Sequence, residues 1–186
     1  MRVVGGSAGG IPLHVPKGPA LRPTMEMVKN AIFNSLAEAI GGARVLDLFA
    51  GAGSLGIEAL SRGATTCTFV ESDRRACASI RQNLEKTRLS GGDVVAADAL
   101  RWLSRAPAAA FDLVFADPPY AKSADDRDFT PELLKSEGLQ QALAPGGIFV
   151  LEHLPGAKLP LGEAWECLRQ KRYGATEVAF LRRVST

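Results

Sequence analysis

Val45-Leu46-Asp47-Leu48-Phe49-Ala50-Gly51-Ala52-Gly53-Ser54-Leu55-Gly56 is the stretch that decides the fold. An apolar strand runs into Gly-x-Gly-x-x-Gly and then into a helix. Gly51 permits the tight turn, Gly53 lets a ligand approach the backbone, and Gly56 allows close helix–strand packing. Glu71 comes twenty residues after Gly51, at the end of the next predicted strand. A carboxylate there can hold both ribose hydroxyls of an adenosine. This much suits NAD, FAD and S-adenosylmethionine alike. Asp47 separates them, because it sits in the strand four residues before Gly51, beside the loop mouth. A dinucleotide would place an anionic pyrophosphate there, which a carboxylate repels. S-adenosylmethionine has no phosphate and carries an ammonium and a sulfonium, which a carboxylate favours.

Outward from this loop, strands and helices alternate. Strands are expected at Val45–Phe49, Thr65–Val70, Val94–Ala97, Phe111–Ala116 and Ile148–Glu152. Helices are expected at Leu55–Ser61, Arg74–Lys86, Leu100–Arg105 and, singly or as a pair, Pro131–Ala144. Such alternation predicts a doubly wound, parallel α/β sheet. Trp165–Lys171 and Thr176–Arg182, around Tyr173-Gly174, read as a closing hairpin. Upstream, Thr24 is placed as the N-cap of a helix carrying Val28, Ile32 or Phe33, Leu36 and Ile40, stopped by Gly41-Gly42. Residues 1–23 form a Gly- and Pro-rich arm, with Val3-Val4 and Ile11–Val15 as the two strands of an expected β-hairpin. Residues 24–186 make the main domain.

The fourth strand ends in Asp117-Pro118-Pro119-Tyr120. Ligands of open α/β sheets bind beyond the carboxyl ends of the strands, so this turn should face the Gly51 loop. Two prolines stiffen it and aim the Asp117 carboxylate and the Pro118 carbonyl at one point. Two acceptors at one point suit an exocyclic amine. Tyr120 offers a flat face for a base, worth about 1–3 kcal/mol by comparison with single-strand binders. Such a base must first leave its stack. The chemistry that follows is methyl transfer from sulfonium to nitrogen, with Asp117 stabilising the positive charge that develops on the amine. In-line positioning supplies several further kcal/mol. Asp98, after the third strand, reads both as an acceptor for an adenine amino group and as an N-cap.

Composition sets the outer bounds. The chain has 186 residues, 46% hydrophobic and 23% charged, as in a soluble globular protein. No run approaches the ~18 apolar residues of a spanning helix, and the first residues lack the apolar core of a secretory signal. Cys67, Cys77 and Cys167 are odd in number and widely spaced, which argues against a disulfide scaffold and fits the cytoplasm. His14 and His153 have no partners at ligand spacing, so no metal site is expected. Five Lys and Arg against two Glu in residues 1–44, and the same in 165–186, give basic ends to an acidic middle. Those ends are either solvated surface or a grip on a polyanion. Arg182-Arg183 reads both ways.

These motifs resemble class I S-adenosylmethionine-dependent methyltransferases of the amino-methylating type. With Leu21-Arg22-Pro23-Thr24, Ala31-Ile32-Phe33-Asn34, Glu58–Ala64 and Asp98-Ala99 added, the chain resembles the RsmD family. The resemblance implies a Rossmann-like sheet of seven strands with the last antiparallel, and methylation of a guanine N2 in 16S rRNA. It implies the small ribosomal subunit, assembled or assembling, as partner, and S-adenosyl-L-homocysteine as product. Carried onto this sequence, it puts Asp117, Pro118, Pro119 and Tyr120 in catalysis. Asp47, Phe49, Gly51, Gly53, Glu71, Asp98 and Ala99 bind the cofactor, and Thr24 and Asn34 the substrate. The family carries a Trp-Arg-Gly-Arg-like stretch in the arm where this chain has uncharged Gly6-Ser7-Ala8-Gly9-Gly10. Arg2, Lys17, Arg22 and Lys29 are the cations left to replace it. A monomer is expected. The rival readings are adenine-N6 or cytosine-N4 methylation of nucleic acid, protein glutamine methylation, a nicotinamide oxidoreductase and an inert RNA-binding protein.

Overall fold

The computed structural model describes residues 1–15, 23–121 and 126–184. Lys17 and Arg22 lie outside the described residues. Helix α1 spans Pro23–Leu36, followed by β1 (Arg44–Leu48), α2 (Ser54–Ser61), β2 (Thr66–Glu71), α3 (Arg74–Thr87), β3 (Gly92–Ala96) and α4 (Ala99–Leu103). Then come β4 (Phe111–Ala116), α5 (Phe129–Lys135), α6 (Glu137–Ala142), β5 (Leu143–His153), β6 (Trp165–Tyr173) and β7 (Thr176–Arg183). The seven strands form one sheet in the order β3-β2-β1-β4-β5-β7-β6. β1 to β5 pair in parallel, and β7 is antiparallel to both β5 and β6. The expected architecture is therefore present, with its order reversing between β1 and β4.

Alternation along the strands builds two cores. Val45, Phe69, Leu113, Phe115, Val150 and Phe180 face one side, under Ile32 and Phe33 of α1 and Ile57 of α2. Leu46, Leu48, Val70, Val114, Phe149 and Leu181 face the other, with Leu103, Leu133 and Leu139 from α4, α5 and α6. Central strands buried on both faces need this near-continuous apolar run. Each such side chain contributes about 1.5–3 kcal/mol. Asp47 interrupts the run, and it is on the α1–α3 face with Val45.

Three local expectations are corrected. α1 begins at Pro23, so Thr24 stands inside its first turn and not at the cap. α1 ends at Leu36, short of Gly41-Gly42, because a 3₁₀ turn over Ala37–Ala39 takes over with Ala37 at φ 37°. β5 starts at Leu143, five residues before Ile148, since Pro145-Gly146-Gly147 is absorbed as a bulge opposite Phe111 and Leu113. The arm pairs its two segments over a short stretch: Arg2 bridges antiparallel to Pro12, the Val3 amide donates to the Ile11 carbonyl at 3.0 Å and the Leu13 amide to the Met1 carbonyl at 2.9 Å, while the turn between them docks on α2.

That docking explains the uncharged glycines. The Ser7 amide donates to the Ser61 carbonyl at 2.7 Å. The Ser61 hydroxyl accepts from the Ala8 amide at 2.9 Å and donates to the Gly5 carbonyl at 2.6 Å. Gly6 has φ 74°, and a Cβ there would run into the Ser61 carbonyl, so no larger residue fits this turn. Nearer the arm's ends, fully buried Glu58 accepts from the Val4 and Gly5 amides at 2.7 and 2.8 Å. It also pairs with Lys29 Nζ at 3.2 Å and Arg62 Nε at 2.7 Å. Lys29, expected as an RNA-facing cation, is instead only 3% exposed and ties the Arg2 carbonyl and the Ser54 hydroxyl to Glu58. Burial lowers its pKa, against the opposing pull of Glu58.

Candidate active site

The glycine loop is shaped by backbone conformations that leave β1 sharply. Phe49, Gly51 and Gly53 have φ 55°, 54° and 80°. Phe49 is the strained member, a bulky residue in the left-handed region. Its ring rests edge-on against Phe129, centroids 5.0 Å apart. A Cβ on Gly56 would strike the Phe69 ring and sit 2.5 Å from Cys67 Sγ, so this glycine serves close helix–strand packing. Asp47 Oδ2 accepts from the Gly56 amide at 2.8 Å. Glu71 Oε2 accepts from the Gly51 amide at 2.8 Å, and its Oε1 from the Asp73 amide at 2.8 Å.

Asn83 of α3 fastens this loop to the arm. It is fully buried. Its Oδ1 accepts from the His14 amide at 2.6 Å, while its Nδ2 donates to the His14 carbonyl at 2.8 Å and the Ala52 carbonyl at 3.0 Å. Through Asn83 and Lys29 the arm supports the Ala52–Ser54 stretch at both ends. Neither link was foreseen, because an Asn and a Lys on helices give no local signal of what tertiary packing sets against them.

The second half of the site lies beside the first. Register pairs Asp47 with Phe115 and Leu48 with Ala116, so Asp117 follows at the carboxyl end of β4, next to the loop. Ala116 pairs with Leu151, which puts Glu152 of β5 beside Asp117. Alternation directs Glu152 to the α1–α3 face with Val150 and Ile148. Four adjacent strands, β2, β1, β4 and β5, thus bring Glu71, Asp47, Asp117 and Glu152 to one edge of one face. For Asp47, Asp117 and Glu152, burial is the first cause of a raised pKa. Burial pushes the Asp47 carboxyl up to about 8, against the Gly56 amide and with Asp117 adding repulsion. Burial pushes Asp117 to about 6. Glu152 rises to about 8 through burial first and the Asp117 charge second.

Pro118 is buried and Pro119 exposed. The Tyr120 hydroxyl shares a 2.6 Å hydrogen bond with Thr176 Oγ1, the first residue of β7, and Thr176 donates to Glu152 Oε2 at 3.4 Å. Burial raises the Tyr120 pKa, so its hydroxyl stays protonated. Glu152, Thr176 and Phe129 are the neighbours that sequence reasoning missed. Each comes from an element whose place beside the turn depends on strand order.

The remaining candidates separate. Asp98 caps α4, accepting from the Arg101 amide at 2.9 Å, and Ala99 is buried behind it. Arg2 is exposed and bound to Glu26 at 3.2 Å. Asn34 lies away from Asp117. It lines a groove of about 440 Å³ with Gly6, Phe33 and Arg62, at the amino end of β1. The strand ends carrying the carboxylates are at the opposite edge of the sheet, so Asn34 is not brought together with Asp117. Among the described residues no His, Cys, Asp and Glu cluster is arranged to hold a metal ion, and no helix is long and apolar enough to cross a membrane.

Seven strands in this order with β7 reversed, a glycine turn after β1 and a switch point between β1 and β4 define the class I methyltransferase fold. Within that class, the chain belongs to the family described as conserved hypothetical protein 95, whose model matches residues 1–182. It is 35% identical to the ribosomal RNA small subunit methyltransferase D of Escherichia coli strain K12, over 94% of this chain and 85% of that protein. Among solved structures, YhhF of Escherichia coli superposes with a TM-score of 0.82 at 32% identity, covering 98% of this chain and 97% of that one. The Thermus thermophilus 16S rRNA N2 G1207 methyltransferase RsmC, in complex with AdoMet and guanosine, gives a TM-score of 0.72 at 25% identity. That match covers 91% of this chain and 45% of RsmC.

Proposed function

We propose that this protein transfers a methyl group from S-adenosylmethionine to the exocyclic N2 of a guanine in 16S rRNA, acting as a monomer in the cytoplasm on the assembled or assembling small subunit. The observation that carries the reading is the placement of the Asp117-Pro118-Pro119-Tyr120 turn beside the Gly51 loop, among buried carboxyl groups. Glu71, Asp47, Asp117 and Glu152 meet at one edge, and among the described residues none of them has an ion-pair partner, so an ammonium and a sulfonium are what the site would receive. The family's relative named for small-subunit rRNA methylation, and the neighbour solved with AdoMet and guanosine, support substrate and base.

Asp47 would face the cofactor's charged end, Gly51 and Gly53 give its backbone approach, and Glu71 meets the ribose hydroxyls. Phe49, Asp98 and Ala99 flank the adenine. Bound there, S-adenosylmethionine supplies a methyl group on a positively charged sulfur. The chain's own residues do the rest. Tyr120, held by Thr176, presents its ring to an unstacked guanine. The Pro118 carbonyl and the Asp117 carboxylate accept from the two N–H bonds of N2. At neutral pH Asp117 is mostly ionised and Glu152 mostly protonated, so two neighbouring carboxyls divide the roles of acceptor and neutral support. Asp117 then stabilises the charge on nitrogen and can take its proton.

The test is methyl transfer from radiolabelled cofactor to naked 16S rRNA and to small subunits from cells lacking this protein, with nucleoside analysis. Label in N2-methylguanosine is the expected result. Label in methyladenosine or methylcytosine overturns the base, and label only in protein overturns the substrate class.

Asp47 gives a separate prediction. Its raised pKa means the folded state binds a proton that the unfolded state releases between about pH 4 and 8, so stability falls as pH rises through that window. Asp47→Asn keeps an acceptor for the Gly56 amide and removes the titration. It is expected to stabilise the cofactor-free protein by about 1–3 kcal/mol at pH 8. Calorimetric titration should show it binding S-adenosylmethionine about tenfold more weakly, the worth of one favourable charge contact. Unchanged affinity would remove Asp47 from the cofactor site.

A further inference from the structure

We propose that the outer edge of β6, with Arg169, Lys171, Arg172 and Tyr173, is the track on which an RNA strand lies as it enters the site; this rests on the rRNA reading above. β6 is the last strand of the sheet, so its outer edge has no strand partner. Every residue from Glu166 to Arg172 is exposed. Three cations fall within four residues, with no acidic residue among them. Among the described residues no carboxylate pairs with any of the three; Arg169 donates to Ser35 Oγ of α1 at 2.9 Å and Arg172 to the Gly174 carbonyl at 3.1 Å, so their charges stay unneutralised. Glu177, opposite Arg172 in register, is bound instead to the Gly156 amide at 3.0 Å. By contrast Arg182, further down the hairpin, is neutralised by Glu166 at 2.7 Å.

Direction and chemistry agree with this use. β6 runs with the parallel strands, so Tyr173 is at the carboxyl edge of the sheet, where the carboxylates gather. Tyr173 pairs with Thr176, and Thr176 holds the Tyr120 hydroxyl. From Arg169 to Tyr173 the strand covers about 13 Å. Lys171 lies over the Tyr173 ring, 5.4 Å from its centroid. Alternation puts Arg169 and Lys171 on the face of Tyr173 and Arg172 on the other, and cations along a strand edge beside an aromatic ring match the phosphates and a base of single-stranded RNA. The acidic pocket at the end of this track repels phosphate. A basic edge is therefore needed to bring a polyanion to it.

Charged residues on an edge strand also prevent strand-to-strand aggregation, and the experiment separates the two uses. In R169E/K171E/R172E the edge stays charged and protected, but RNA is repelled. Steady-state methylation and filter binding are measured with naked 16S rRNA and with subunits, from 50 to 300 mM KCl, with light scattering as a check on association. The expected result is a monodisperse variant with unchanged S-adenosylmethionine affinity and a KM for RNA raised about 10–100-fold. For R169A/K171A/R172A the slope of log affinity on log salt should be shallower by about 2, as three lost single-strand phosphate contacts predict. K86E/R88E, in the last turn of α3 and at the residue that caps it, should leave RNA binding as in the wild type. Wild-type KM and salt slope in the β6 variants would overturn the track while the rRNA reading stands. Loss with subunits but not with naked RNA would overturn it in favour of a ribosomal-protein contact. A wild-type protein that neither binds nor methylates small-subunit RNA overturns both.

Discussion

Asp117→Ala is expected to lower kcat for methyl transfer by about 10²–10³-fold, with S-adenosylmethionine affinity within about threefold of wild type. The size follows from removing one preorganised group aimed at charge that forms only in the transition state, worth about 2.7–4 kcal/mol. Asp117→Asn tests the ionised form separately. Burial raises the Asp117 carboxyl to about 6 in the ligand-free protein, so wild-type kcat/KM for S-adenosylmethionine should rise with pH through that value and level off above it. Asparagine keeps an acceptor but cannot take a proton or a negative charge, so it should be slow and should lose this limb of the profile. Single-turnover rates at subsaturating S-adenosylmethionine between pH 5 and 8 decide the matter. An Asp117→Ala enzyme retaining a tenth or more of wild-type kcat would sink the proposed role.

Glu58→Ala should cost about 3–5 kcal/mol of folding stability, measured by urea unfolding at pH 7. Removing one partner of a buried ion pair leaves the other charge uncompensated, and that is the expensive event. Here the orphan is Lys29, 3% exposed, left with only the Arg2 carbonyl and the Ser54 hydroxyl. The Val4 and Gly5 amides lose their acceptor in the same stroke, so the arm should become the first site of proteolytic cutting. Lys29→Met should also destabilise, and the double variant should be more stable than the two costs added together, because the buried Lys29 charge is gone and Arg62, which also loses Glu58, is partly exposed to water. Additive costs would show that Lys29 and Glu58 do not act as a pair. Ser54 opens α2 at the glycine loop, so the single variants should weaken cofactor binding as well.

Much of this molecule is legible in its residues. The Val45–Gly56 stretch, the Asp-Pro-Pro-Tyr turn and the alternation of strand and helix place every parallel strand within a few residues, because period and turn chemistry act locally. The closing hairpin is legible for the same reason. The misreadings arise where local signals are outweighed by packing. Pro145-Gly146-Gly147 looks like a break and is a bulge, since β5 gains ladder bonds by continuing through it. Gly5–Gly10 reads as a hairpin turn and is one, but its second role, docking on the end of α2, is not legible locally. Lys29 looks like a surface cation and is buried, because Glu58 is set beside it by α2.

Sequence by itself determined the class of sheet, the loop that can receive a cofactor and the turn that can hold an amine. Each is a short contiguous segment whose conformation its own glycines and prolines dictate. Only the tertiary structure decided which groups surround them. Strand order brings Glu152 and Thr176 to Asp117 and Tyr120 across gaps of 35 and 56 residues, sends Asn34 to the far end of β1, and leaves β6 as an open basic edge. Proximity between distant segments is set by which apolar faces bury one another, and no local propensity encodes it.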